Sequence, residues 1–325
     1  MCKKPDLLSK RPDFRLMSSF DSLLDSLRLR SEIQNRVVLG EPWGVEFPAR
    51  SHLATFHFME HGRGVVTVPG AEPVTLEQGD LAIVFSDQGH SVCDISGTKP
   101  TGLLELLEKA DVICKSGLTL KFGGDGPESS VIGGDFSFAE SATHPLWRML
   151  PPMLVSRKQS APTSEWLAET LSLLSREAME MHSGARVVLD RLCDVLLIQA
   201  LRDWVGCDQA ASGLPAAVKD RAIDSALTLI QKMPAESWTV ESLARHVALS
   251  RSTFAERFRR LTGETPMEYL GRWRMHIAAG LLREGNDNVA SIAEKTGYES
   301  EASFAKAFKR MTGVAPGAFR RGATV

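Results

Sequence analysis

The sequence predicts an α+β protein: a β-barrel or sandwich in the N-terminal half, a pair of helices in the middle, and an all-helical C-terminal domain that uses one unit twice. Three observations carry this. Short apolar runs broken by Gly and Pro follow one another from Val37 onward, the texture of a small barrel. From Glu165 the apolar residues return at helical spacing. Finally, "SRSTFAERFRRLTG", Ser250 to Gly263, recurs as "SEASFAKAFKRMTG", Ser300 to Gly313, at a constant offset of 50 residues.

At 325 residues the chain is comfortable for two domains, and 43% hydrophobic with 24% charged residues fits packed cores under a polar surface. The net charge of −2 hides a split by sign. Of 38 Lys+Arg and 40 Asp+Glu, 17 and 12 lie from Lys219 onward, leaving 21 and 28 before it. The basic C-terminal part points to a polyanionic partner. The five cysteines (Cys2, Cys93, Cys114, Cys193 and Cys207) are odd in number and form no CxxC, which argues against a disulfide framework or zinc ribbon and fits a reducing compartment. No apolar run approaches a membrane span, and "MCKKPDLLSKRPDFRLM" lacks the apolar core of a signal peptide. A cytoplasmic protein with no membrane partner is expected. Residues 1–16 precede a better helix opening after Met17 and read as a frayed extension or as lying upstream of the true start.

The first element is a helix over residues 18–32, opened by Ser/Asp capping, with Phe20, Leu23, Leu24, Leu27 and Leu29 near helical spacing. Strands follow in "VVLG", "WGVEFPA", "HLATFHFME", "GVVTVPG", "PVTLEQGDLAIVF" and "GHSVCDI". "TGLLELLEKADVIC" inserts one helix, strands resume in "GLTLKFGG" and "SSVIGGDFSFA", and "HPLWRMLPPML" closes a domain of residues 18–155. After the polar linker "VSRKQSAPTS" come two helices, roughly Glu165–Met181 and Ala185–Val205. Leu167, Leu171, Leu174, Met181, Leu189, Leu192, Leu196 and Leu197 give them more apolar surface than a linker needs, so residues 165–206 are assigned as a dimerisation segment of a homodimer. "GCDQAASGLP" is a second linker, with Pro215 placed to start the next helix of a last domain, 216–325.

In the first copy of the repeat, Phe254, Phe258 and Leu261 fall at i, i+4 and i+7 and make one apolar stripe, with Arg251, Ser252, Ala255, Glu256 and Arg259 opposite. In the second, Phe304, Phe308 and Met311 make the stripe, and Glu301, Ala302, Ala305, Lys306 and Lys309 face out. The core is kept while the outer face changes, as expected when one fold reads two surfaces. Each copy follows a short helix, in "TVESLARHVALS" and "NVASIAEKTGYES", and Gly297 can take the sharp turn between them. Helix, turn, helix is the unit whose second helix enters the DNA major groove. "PMEYLGRWRMHIAAGLLREG" is long and amphipathic enough to be a rigid connecting helix. The competing reading is a helical-repeat scaffold for a protein partner. Two repeats are too few for a solenoid, and a scaffold has no reason to set Arg251, Arg259, Lys306 and Lys309 opposite the core.

Residues 219–321 resemble the DNA-binding domain of AraC/XylS-family transcription regulators. The resemblance rests on "ASIAEKTGYESEASFAKAFKRMTGVAPGAFR", Ala290–Arg320, which meets the family pattern throughout. It implies two helix-turn-helix units joined by one helix, their reading helices in major-groove segments one turn apart, about 34 Å. It makes Arg251, Ser252, Ala255 and Glu256 base-edge candidates in the first unit, and Glu301, Ala302, Ser303 and Lys306 in the second. Arg can pair bidentately with guanine, Glu can accept from cytosine, and Ala can touch a thymine methyl. Arg259 and Lys309, one turn further on, are assigned to phosphates. For Glu256 and Glu301 the alternative is an intrahelical ion pair with Arg260 or Lys306.

"FHFMEHGRGVVTVPGAEPVTLEQGDLAIVFSDQGHSV" resembles a cupin barrel core, through His57, Gly79–Asp80 and Gly89–His90. Extended through "GLTLKFGGDGPESSVIGGDFSFAESATHPLWRMLPPML", the resemblance makes residues 18–155 similar to the cupin branch of AraC-type regulators. A metalloenzyme cupin typically uses three His and one Glu. Here His57 and His90 match, and Met59 stands where the second His of an H-x-H would be. Alternation puts Glu60 on the opposite face from His57. His57 and His90 would hold zinc or a similar divalent metal weakly, helped by Cys93 or by Glu60 if a bulge turns it. Alternatively they line an effector pocket with Met59 and Cys93. Some members of the branch sense oxidants through cysteines. That sensing position falls near "SSVIGG", where this chain has none, leaving Cys93 and Cys114 as a separate thiol-sensor reading.

The expected function is a sequence-specific, DNA-binding transcription regulator controlled by a small-molecule, metal or redox signal at the N-terminal domain. Its expected partners are double-stranded DNA, a second copy, the effector and, if it activates transcription, RNA polymerase. The alternative is a cupin metalloenzyme of the dioxygenase type carrying a DNA-binding appendage, against which the incomplete ligand set speaks. Nothing in the chain resembles a nucleophile–base–acid arrangement, and a divalent metal such as zinc at the cupin site is the one cofactor the sequence suggests.

Overall fold

A computed structural model describes residues 18–322 except 28, 51–52, 86, 110, 113–118, 139–142, 158–163, 181, 207–211 and 286. The chain divides into two units, Arg28–Pro215 and residues 18–27 together with Ala216 onward. The expected helix over 18–32 is shorter than its leucine spacing suggests. Helix α1 spans Ser19–Asp25, and strand β1 runs Leu29–Gly40. From Leu29 the chain pairs with a distant strand, Leu29 opposite Phe138, and Ser31 and Ile33 are buried between exposed Arg30 and Glu32. The period of two wins there because the ladder satisfies the backbone. Helix α1 itself belongs to the C-terminal unit: the amide and hydroxyl of Ser19 both donate to Asp224 Oδ1, at 3.2 and 2.6 Å.

The barrel unit continues with β2 (Gly44–Phe47), β3 (Leu53–His61), β4 (Arg63–Thr67), β5 (Val74–Glu77), β6 (Leu81–Val84), β7 (His90–Cys93) and β8 (Thr101–Gly102). The inserted helix α2 (Leu103–Lys109) leads to β9 (Asp111–Val112), β10 (Thr119–Gly123) and β11 (Glu128–Phe138), then α3 (Leu146–Met149) and β12 (Met153–Ser156). One sheet has the order β12-β6-β3-β11-β1-β10-β9, the other β5-β4-β7-β2-β8. Leu39, Trp43, Met59, Val66, Leu76, Val84, Val92 and Val131 form the core of the barrel. A bulge between Ile33 and Asn35 reverses the faces of β1. Before it, Ser31 donates to Asp194 Oδ1 at 2.5 Å and Ile33 lies by Leu189. After it, Asn35, Val37 and Leu39 face a cavity within the barrel.

Helices α4 (Ser164–Glu180) and α5 (Ala185–Gly206) pack on each other, and α5 packs on β1 and β12. This corrects the reading of their leucines as a dimer face. Leu167, Leu171, Leu174, Leu189, Leu196 and Leu197 are buried within the one chain, and Leu192 is half-buried. Met181 lies outside the described residues. Among the described residues no helix is long and apolar enough to cross a membrane.

The C-terminal unit is helical: α6 (Gly213–Lys219, which starts in the barrel unit), α7 (Arg221–Lys232), α8 (Val240–His246), α9 (Arg251–Thr262), α10 (Pro266–Glu284), α11 (Val289–Lys295), α12 (Glu301–Thr312) and α13 (Pro316–Arg320). Helix α10 is the connecting helix. Toward its start, buried Tyr269 accepts from Gln231 Nε2 at 2.8 Å, and Trp273 Nε1 donates to Gln231 O at 3.2 Å. Toward its end, Met275, Ala278, Ala279 and Leu282 join Ile292, Ala293, Phe304 and Phe308 in the core of the second unit.

Candidate DNA interface and barrel cavity

The two copies of the repeat are equivalent down to single hydrogen bonds. Ser250 and Ser300 cap α9 and α12, their hydroxyls accepting from the amides of Thr253 and Ser303, both at 3.2 Å. Phe254, Phe258, Phe304 and Phe308 are fully buried. At the far ends Thr262 and Thr312 donate to Phe258 O and Phe308 O at 2.9 Å, and Gly263 and Gly313 close the helices at φ +80° and +78°. The kept letters are therefore the core and the caps. The turns differ in chemistry: Gly297 takes φ +75° after α11, and Ala248 takes φ +56° at the matching place after α8.

The changed letters are the surface. Arg251, Ser252, Glu256 and Arg259 are exposed, as are Glu301, Ala302, Ser303, Lys306 and Lys309, whereas Ala255 is half-buried. Arg251 pairs with Glu241 on α8. The Ser303 hydroxyl is engaged at the cap, donating to Ser300 O at 2.8 Å. Glu256 and Glu301 form no ion pair among the described residues, so the intrahelical alternative is not what the structure shows. Sequence reasoning did not count Arg260, Arg310 and Thr253 among the DNA contacts, although all are exposed on the same helices. The repeat offset would have found Thr253, which matches Ser303. Other basic residues hold the domain together. Arg257 binds Asp220 at 2.5 Å, Arg272 binds buried Glu264 at 3.2 Å, and Arg274 donates to Pro234 O and Glu236 O at 2.7 and 2.9 Å.

In the barrel, β3 alternation points Thr55 and His57 at the cavity, and β2 pairs with β7 so that Phe47 lies opposite His90. The Nε2 atoms of His57 and His90 meet at 2.7 Å, and Phe47 stacks on the His90 ring with centroids 4.6 Å apart. Burial drives the pKa of His57 well below the ordinary histidine value, with the proximity of His90 adding to it, and burial lowers that of His90 to about 4. The pair is neutral at pH 7, one nitrogen donating and the other accepting.

Of the four expected effector residues only His57 lines the cavity, with His90 in contact behind it, and the other two are elsewhere. Met59 is in the barrel core, and Cys93 alternates to the opposite face of β7 from Val92, beside Gly44. Burial raises the Cys93 thiol above its ordinary pKa, which disfavours a reactive thiolate. Cys114, the other half of the thiol-sensor reading, lies outside the described residues. A bulge does fall at Glu60, between Met59 and His61, yet it delivers Glu60 to Arg36 at 2.7 Å and Ser130 at 2.6 Å. A tetrahedral zinc would hold two imidazole nitrogens about 3.4 Å apart and need two further donors. Among the described residues no three His, Cys, Asp or Glu converge. The donor set does not fit a resident metal. Sequence reasoning missed Trp43 and Phe47 in the cavity wall, although Trp43, just before β2, and Val45 and Phe47 on it fall at every second position and all three line it.

Against known proteins, a cupin family model matches residues 19–206 and a helix-turn-helix domain model matches residues 243–322. An AraC-like transcription regulator of Streptomyces antibioticus is 34% identical over 308 residues, covering 94% of this chain and 99% of that protein. The HTH-type transcriptional regulator AlkR of Acinetobacter baylyi is 28% identical, over 94% of this chain and 99% of its own length. Among solved structures, the DNA-binding domain of AdpA in complex with a target DNA is 31% identical, covering 31% of this chain and 91% of that one, with a TM-score of 0.30.

Proposed function

The chain belongs to the AraC-like transcription regulators, joining a cupin domain to a helix-turn-helix DNA-binding domain, and from that premise we propose that a ligand in the barrel cavity switches how two unequal reading helices engage DNA. The protein is a DNA-binding transcription regulator and not an enzyme. The observation that carries the proposal is the contrast between the copies: matching cores and caps under different exposed letters. Helix α9 offers Arg251, Ser252 and Glu256 to base edges; α12 offers Glu301, Ala302 and Lys306. Arg259 and Lys309 hold phosphates, and the cap-engaged Ser303 and half-buried Ala255 contribute less.

His57 lines the effector cavity and is backed by its contact with His90, and the effector acts by binding one arrangement of the protein better than another. The protein works in the cytoplasm as a homodimer. Leu173 and Met179 on α4 and Val187 and Val188 on α5 remain exposed after the buried leucines are discounted, and they support a second copy against these helices. RNA polymerase is a partner if bound protein activates transcription.

Genome-wide mapping of bound DNA, followed by footprinting, tests the reading. Two protected major-groove segments one turn apart on one face are expected, and a single segment would overturn it. In a reporter strain, the His57→Ala/His90→Ala double variant is expected to keep DNA affinity and lose the response to inducing conditions. Normal switching would remove the pair from the effector site.

A further inference from the structure

We propose that the barrel cavity takes a small, uncharged, largely hydrocarbon molecule bearing one hydrogen-bond acceptor, which the indole N–H of Trp43 holds. This deepens, and rests on, the reading that the barrel binds an effector. Trp43 lines the cavity, is 2% exposed, and its Nε1–H has no hydrogen-bond partner among the described residues. Buried donors are almost always paired, so an unmatched donor on a residue of the cavity wall marks a group that a guest's acceptor can complete.

The rest of the wall narrows the guest's chemistry. It is mainly Val, Leu and aromatic, and among the described residues no Lys, Arg, Asp or Glu lines it. An ammonium or carboxylate there would be desolvated without a counter-charge. The His57–His90 pair does not supply one, since burial keeps it neutral at pH 7. Two of the other polar groups are already engaged, Gln34 and Thr55 both donating to Asp135. The cavity volume is about 60 Å³. One water needs about 10–15 Å³ by this measure, so about four to six non-hydrogen atoms fit. Leu103 and Leu107 of α2 close one side, and Leu107 is 40% exposed, so this wall borders solvent through an apolar side chain.

The test measures binding of four probes of matched size to the full-length protein by saturation-transfer NMR and thermal shift: 2-butanone, 2-methylbutane, n-butylamine and butyrate. The two neutral probes are expected to bind, and the two charged ones are not. Trp43→Phe is expected to weaken 2-butanone by about 2- to 10-fold, the worth of one hydrogen bond, and leave 2-methylbutane unchanged. Should Trp43→Phe fail to fold, Gly133→Ala serves. A methyl there would sit 3.5 Å from Phe56 O and 3.9 Å from His57 Nδ1, ordinary contacts, so it fills the cavity without strain and should weaken both neutral probes. Charged probes binding as well as 2-butanone, Trp43→Phe weakening both neutral probes alike, Gly133→Ala leaving both unchanged, or no neutral probe binding would each overturn the proposal. If it fails while the double histidine variant still loses induction, the effector reading stands and only the ligand class is wrong.

Discussion

Replacing Gly297 by Ala probes the joint that orients the second reading helix. Gly297 sits at φ +75°, where an L-residue pays about 1–2 kcal/mol. Space adds to this. A Cβ would lie 2.7 Å from Ala235 O, 2.9 Å from Ala235 Cα and 2.6 Å from Arg274 Nη2. The Ala235 atoms are backbone and cannot swing aside, so the turn must shift or Arg274 must leave. Arg274 donates to Pro234 O and Glu236 O and lies over the Tyr298 ring. Losing one of those hydrogen bonds costs about 0.5–1.5 kcal/mol. Gly297→Ala is therefore expected to destabilise the C-terminal unit by about 1.5–3.5 kcal/mol and to weaken DNA binding by moving α12. The first unit supplies the control. Ala248 already occupies the left-handed region and is exposed, so Ala248→Gly trades strain against unfolded-state entropy and should change stability by less than about 1 kcal/mol. Urea unfolding of the full-length protein, with DNA affinity at fixed salt, measures both. A Gly297→Ala protein within about 0.5 kcal/mol of the parent, or one that binds DNA equally well, would refute the reasoning.

Lys306→Ala is expected to relax base preference in one half-site by about 1–3 kcal/mol, whereas Arg259→Ala should weaken all sequences alike and reduce the salt slope by about one; binding to a panel of site variants at several salt concentrations separates them, and uniform losses in both would remove the base–phosphate distinction. Acidification should destabilise the barrel through the histidine pair. The unfolded histidines bind protons near pH 6.5, while the folded pair stays neutral until His90 titrates at about 4. Stability is therefore full above pH 6.5 and falls as pH drops from there toward 4, by about 1.4 kcal/mol per pH unit per histidine. A His57→Gln/His90→Gln variant with the same pH slope in urea unfolding would contradict this. Leu196→Glu should unfold the protomer, because Leu196 is fully buried, whereas Leu173→Glu with Val188→Glu should give folded monomers by light scattering; persistent dimers would move the interface.

The repeat was readable from the sequence by itself because everything that defines it is local. Caps at Ser250 and Ser300, phenylalanines four residues apart and terminal glycines act within one helix, and their spacing survives in any context. Alternation along β3 likewise put His57 on the inner face. Tertiary structure decided what depends on distant partners. The first helix stops at Asp25 because Leu29 onward finds β11, and Ser19 finds Asp224 from 205 residues away. The leucines of α4 and α5 looked surplus in isolation and are covered by each other and by the barrel. Whether an arginine is free for DNA or spent on Asp220, Glu264 or a backbone carbonyl is likewise invisible in a helical stripe. A bulge sent Glu60 to Arg36, and the pairing of β2 with β7 set Phe47 on His90 while Trp43 was left with an unmatched N–H in the cavity wall. A one-residue slip in a strand reverses every face beyond it, and only the paired strands determine where that slip occurs.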